Sequence, residues 1–231
     1  MTRHLADRAP QTLILPGDPP LEVALRVSPR ARRLTLRIGA RGAALTRPPW
    51  VEAEEAARFA RSRESWLRER LDRRPGRVVP AIGLALPVEG VPRRLVEGPR
   101  TRLEADHLVV RGDPARAAVA VVREVARNRL TAACDRFAAR LGVRWGPLAL
   151  RDTRSRWGSC TEAGRLMFSW RLAMAPPALL SYVAAHEVAH LRRMDHSPAF
   201  WAVVEGLCPT WREDRAALQA LGPALHAWDF G

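Results

Sequence analysis

The sequence predicts an α+β protein, on three observations. Apolar residues alternate in the N-terminal part, as strands with one buried face do. They recur at threes and fours over about residues 115–141, the spacing of one helix face. Short strand-like pieces then precede a second helical stretch that opens at Pro176-Pro177.

Taken in order, Leu21, Val23, Leu25 and Val27 alternate, and so do Leu34, Leu36 and Ile38. Gly39-Ala40-Arg41-Gly42 can turn the chain into a third strand ending at Pro48-Pro49. From Val51 the period becomes helical, with Ala56, Phe59, Ala60, Trp66, Leu67 and Leu71 on one side of a single predicted helix. Residues 73–80 read as a linker. Residues 82–110 read as strands punctuated by Gly83, Gly90 and Gly98, closing on the turn Gly112-Asp113-Pro114. In the long helix that follows, Val122, Val125, Ala126, Leu130, Ala133, Phe137 and Leu141 share a face. Strands are predicted at 148–151, 157–160 and 166–172, then a helix from Pro176-Pro177 to near Met194. Ser197 before Pro198 reads as the cap of a short helix to about Gly206. Thr210 with Glu213 matches a capping box that opens a last helix.

A chain of 231 residues holds one or two domains. The patterns divide it into a β-rich, Arg-rich region at 1–80 with one helix, and a domain at 81–231. No apolar run approaches the ~18 residues of a membrane span, so no membrane association is expected. The Leu13-Ile14-Leu15 cluster behind Arg3, His4 and Arg8 is too short for a secretory signal. Three scattered cysteines, Cys134, Cys160 and Cys208, share no CxxC spacing. Reduced thiols in a cytoplasmic protein are the simple expectation.

The formal charge is +14, carried by arginine without a single lysine. Residues 1–80 hold 17 Arg against 9 acids, a net +8; residues 81–145 carry +5 and residues 146–231 only +1. The positive field therefore belongs to the first two-thirds, where it can attract nucleic acid or a phosphorylated ligand. A solvated Arg-rich surface explains it equally well.

The chemistry concentrates in His186-Glu187-Val188-Ala189-His190, followed by His196. Residues four apart on a helix share a face, so His186 and His190 can address one metal ion. A catalytic zinc takes three protein ligands and a water. His196, past the helix end, is the candidate third ligand, and Glu187 the candidate general base for that water. With 6 His and 14 Glu in the chain, a chance HExxH arises in roughly 1% of shuffled sequences, and a third histidine at this offset is rarer still. Other residues carry weaker signals. Arg154 and Arg156 are candidates for substrate or oxyanion contact, with salt bridging as the plainer role. Cys160 and Tyr182 read first as core. Trp157, Trp170 and Trp201 are expected to pack around the site. Asp152, Asp195 and Glu205 are three open choices for orienting a ligand imidazole.

Arg156-Trp-Gly-Ser-Cys160, Trp170-Arg-Leu172, Tyr182-Val-Ala-Ala-His-Glu-Val-Ala-His190 and His196-Ser-Pro-Ala-Phe-Trp201 together resemble the YgjP-like metallopeptidase domain. SprT-like and WLM proteases resemble it more distantly. The strict match covers about residues 150–211, and residues 30–71 resemble the family's N-terminal part. Ser169 departs from the pattern, where asparagine is expected. The resemblance implies a zincin-like C-terminal domain, a small antiparallel or mixed sheet with the HExxH helix. It also implies Zn2+ on His186, His190 and His196, with Glu187 as catalytic base. The leading expectation is peptide-bond hydrolysis by a Glu187-activated, zinc-bound water, on a peptide or protein substrate. A zinc hydrolase of nucleotides or other phosphorylated small molecules is the first alternative. A DNA-associated protease or nucleic-acid-binding module is the second.

Overall fold

The computed structural model describes residues 11–39, 42–72 and 76–231. The tip of the expected turn at 39–42 and the first part of the expected linker, residues 73–75, lie outside them, as do Arg3, His4 and Arg8. The chain divides into two compact units, Met1–Pro75 and Gly76–Gly231. Both mix small sheets with helices, the α+β class.

In the first unit, β1 (Gln11–Leu15), β2 (Leu21–Val27), β3 (Thr35–Gly39) and β4 (Gly42–Arg47) form one sheet in the order β1-β2-β4-β3. The β1–β2 and β3–β4 pairs are antiparallel, and β2 runs parallel to β4. Alternation does what it predicts: Val23, Leu25, Ala43 and Leu45 turn inward. They meet Ala56, Ala60 and Leu67 of α1 (Ala53–Arg61) and α2 (Glu64–Asp72). β1 is a strand the sequence reading missed, because Leu13-Ile14-Leu15 shows no alternation. Pairing with β2 buries Leu15 and leaves Ile14 exposed.

The single helix expected after Val51 is two. The Arg63 amide bonds the Ala60 carbonyl, and the Ser62 hydroxyl donates to the Phe59 carbonyl. These tight bonds close α1, and the new direction of α2 buries Leu67 while Trp66 faces solvent.

The second unit begins within the expected linker: Val78 bridges Trp228. Strands β5 (Ala85–Val88), β6 (Val91–Glu97), β7 (Arg102–Leu103) and β8 (His107–Val110) form a sheet in the order β5-β6-β8-β7. Asp113 then caps α3 (Pro114–Leu141) by accepting from the Arg116 amide, with Pro114 at its first position. Gly142, at φ 64°, ends it in the left-handed conformation that glycine adopts freely.

A three-stranded sheet follows, β10-β11-β9, from β9 (Leu148–Arg151), β10 (Gly158–Cys160) and β11 (Leu166–Ser169). β10 is an edge strand, antiparallel to β11. The strand expected through Leu172 stops at Ser169, where Trp170–Met174 coils into a 3-10 helix whose five side chains are all buried. Next come α4 (Pro177–Ala189), α5 (Pro198–Leu207) and α6 (Trp211–Ala227). α4 is apolar on nearly every side, as a helix enclosed by others must be. It packs against α3, α5, α6 and β10.

Two end signals need correction. α4 stops at Ala189, not near Met194, because the Leu191 and Arg192 amides bond carbonyls only three residues back and tighten the chain into a turn. Thr210 precedes α6 without capping it; its hydroxyl donates to Asp214 at 2.7 Å instead. The Ser197 cap is present, accepting from the Phe200 amide.

Candidate metal centre

α4 carries His186, His190 caps its end one turn later on the same face, and the loop between α4 and α5 brings back His196. The ligand atoms of the three lie within 4.8 Å of one another, a group able to hold a metal ion. The Nε2 atoms of His186 and His196 are 3.3 Å apart. Two nitrogens each about 2.0–2.1 Å from a tetrahedral ion sit roughly 3.3–3.4 Å apart, so this spacing suits one ion between them. His190 Nδ1 donates to the Arg193 carbonyl at 3.0 Å, which leaves Nε2 as a lone-pair donor for a metal. Burial and the two neighbouring imidazoles push His186 down to about 3, so its ring is neutral and able to coordinate. Burial lowers His190 as well. Beneath them Phe200 is fully buried, its ring centroid 4.5–5.0 Å from each imidazole.

Glu187, the next residue along α4, points into a cavity of about 430 Å³. Arg156, Trp157, Gly158, Tyr182, His186 and Arg215 are among the other residues lining it. Burial pushes the Glu187 carboxyl up to about 8, against the pull of the Arg156 charge. Gly158 on β10 is what lets the carboxylate fit, since a Cβ there would lie 2.6 Å from Oε1 and 2.7 Å from Cγ.

The remaining sequence candidates separate. Arg156 lines the cavity, whereas Arg154 acts on Asp152, His226 and Asp229. Cys160 donates to the Thr161 carbonyl, and burial pushes its thiol up to about 11. It is not one of the three convergent ligands. Tyr182 is buried in the cavity wall. Trp170 is core, Trp157 stacks on His226 and Trp201 stacks on Trp211. None of the three carboxylates considered for orienting an imidazole does so. Asp152 pairs with Arg171, Asp195 accepts from Ser197, and Glu205 pairs with Arg212. Among the described residues only His190 has a partner that orients it, the Arg193 main-chain carbonyl, which no side-chain pattern reveals; His186 Nδ1 is buried with none. Ser169 is wholly buried, its hydroxyl without a partner.

Sequence reading also missed Arg215, Leu218 and Gln219, all on α6, because nothing in their spacing ties them to a motif 30 residues earlier. It named Arg171 only as part of the resemblance. That guanidinium is 1% exposed, bonds both carboxylate oxygens of Asp152 and donates to the carbonyls of Leu225 and Trp228. It thereby pins the end of α6 to the strand that precedes the site.

Comparison with the curated proteins and with the solved structures finds no match. A family model described as YgjP-like, metallopeptidase domain, matches residues 32–221. That span takes in the three histidines, Glu187 and every cavity residue named above. The chain therefore belongs to the YgjP-like metallopeptidase family.

Proposed function

We propose that the protein is a zinc-dependent peptidase of zincin-like architecture, with His186, His190 and His196 as ligands and Glu187 as general base. The observation that carries the reading is the convergence of three imidazoles beside a carboxylate turned into one cavity. A zinc ion held there would polarise the scissile carbonyl and acidify a water. Glu187 takes a proton from the attacking water and returns it to the leaving amine. Arg156, near Glu187 in the cavity wall, stabilises negative charge on the carbonyl oxygen. Arg154 stays with Asp152 and the C-terminal segment. An extended substrate adds along the free edge of β10, main chain to main chain. The basic first unit, Met1–Pro75, attracts acidic partners, nucleic acid included.

The test is Glu187→Gln. Glutamine keeps the shape but cannot accept the proton, so turnover on a degenerate peptide library falls by about 10²–10⁴. Zinc content, measured by metal analysis, stays near one per chain. Near-wild-type turnover with zinc bound would end the assignment.

A further inference from the structure

We propose that Arg215, with Gln219 one turn later on α6, reads a carboxylate on the substrate next to the bond being cut, so that the enzyme selects peptides bearing an acid there. The inference rests on the peptidase reading above and names its substrate class.

Two cations line the cavity, Arg156 and Arg215. Arg156 is used at the reacting carbonyl. Arg215 has no such use, and among the described residues its only direct partner is an aromatic ring. Glu205 on α5 pairs with Arg212, and Asp214, the residue before Arg215, accepts from the Thr210 hydroxyl. The guanidinium is nevertheless held in place. It lies 5.6 Å over Trp201, whose ring is 5.5 Å from that of His186 and stacked on Trp211 at 4.2 Å. The aromatic stack therefore seats the cation beside the histidine cluster.

Residues four apart share a helix face, so Arg215 and Gln219 present a guanidinium and an amide to the same space. Leu218 and Val183 add apolar side chains to the wall of the same cavity. A planar fork of donors with an amide beside it matches the two oxygens of a carboxylate. An arginine kept only for solubility needs neither an aromatic seat nor a cavity.

The test uses the zinc-loaded protein and matched peptides that differ only in charge next to the scissile bond. One arm compares Glu with Gln as a side chain; the other compares a free C-terminal carboxylate with its carboxamide. The expected result is a preference of roughly ten- to hundredfold in kcat/KM for the acid in one arm, and that arm identifies the source of the carboxylate. Arg215→Gln collapses the ratio toward one, Arg215→Lys retains part of it, and Arg215→Glu turns it toward a Lys-bearing peptide. Calorimetric affinities on the zinc-loaded Glu187→Gln variant follow the same order without turnover, and melting curves show the variants folded. A wild-type ratio near one in both arms overturns the proposal. So does a ratio that survives Arg215→Gln, or Arg215-dependent binding of a nucleoside triphosphate in place of acidic peptides. If the wild type cleaves no peptide, the peptidase reading fails. Calorimetry then decides separately: acid-selective binding lost in Arg215→Gln sustains the role of Arg215, and its absence refutes it.

Discussion

Gly158 and Glu187 approach so closely that no side chain can be added at Gly158 without moving Glu187. In Gly158→Ala the new methyl group would crowd Oε1, Cγ and Cδ together, at 2.6, 2.7 and 2.8 Å, so the whole carboxylate arm must swing away. Turnover should drop at least tenfold and by no more than the ~10²–10⁴ that general-base assistance is worth. Metal content should not change, because the imidazoles are untouched; unaltered turnover would show that Glu187 need not stand where it does. His226 supports a different measurement. Burial first, then the charges of Arg171 and Arg154, push it from 6.5 down to about 4, with Asp152 opposing. The unfolded chain binds a proton at this ring below about 6.5. The folded chain does so only near 4, so stability is whole above pH 6.5 and falls as pH drops to 4. His226→Phe keeps an aromatic ring against Trp157 and removes the titration. Its melting temperature should depend less on pH than wild type between 6.5 and 4; parallel curves would refute the assignment.

Elements are joined at the site by buried polar anchors more than by loop length. Arg171 gathers β9, the 3-10 helix and the end of α6 with four hydrogen bonds, and Trp170 and Phe230 flank its guanidinium at 4.7 and 5.3 Å. Burial raises the Asp152 carboxyl, but the hydrogen bonds and charge of Arg171, with the charges of Arg154 and His226, together leave it below the usual range. Arg171→Met would strand an acid and two carbonyls. Breaking such a pair costs about 2–4 kcal/mol when one partner remains half-exposed, as Asp152 does. Urea unfolding should show that loss, and a change below about 0.5 kcal/mol would mean the anchor is dispensable. The turn after α4 works on the same plan. Ending the helix at Ala189 frees the Arg193 carbonyl for His190 and lets residues 191–196 swing His196 back over Phe200.

Over the whole molecule the charge is uneven, and the two units allow it to be tested. Removing Met1–Pro75, the first unit, takes away 16 Arg and 9 acids, a net +7. A cut at 75 retains Val78 and Arg77, which bridge Trp228 and pair with Asp229. Binding to heparin or duplex DNA should weaken sharply in the shortened protein. In the full chain it should fade with salt, since exposed charges are screened over ~8–10 Å. Equal affinity of the two proteins would refute the map of charge to binding. Among the described residues no helix is long and apolar enough to cross a membrane.

The sequence by itself determined whatever depends on neighbours a few residues apart. Alternation in β2 and β3, the helical face of α3 and the cap at Ser197 are local, and each stands where the pattern put it. The four-residue spacing of His186 and His190 is local too, which is why the candidate metal-binding group was legible before any fold was known. Tertiary structure alone decided the rest. β1 exists because β2 pairs with it, and the break at Ser62 answers to what Leu67 can bury. Gly158 meets Glu187, Arg171 meets Asp152 and the chain end, and Arg215 comes to the cavity, across separations of 19 to 59 residues. Such meetings are fixed by how apolar faces pack and by which buried polar groups must find a partner. No periodicity along the chain records either.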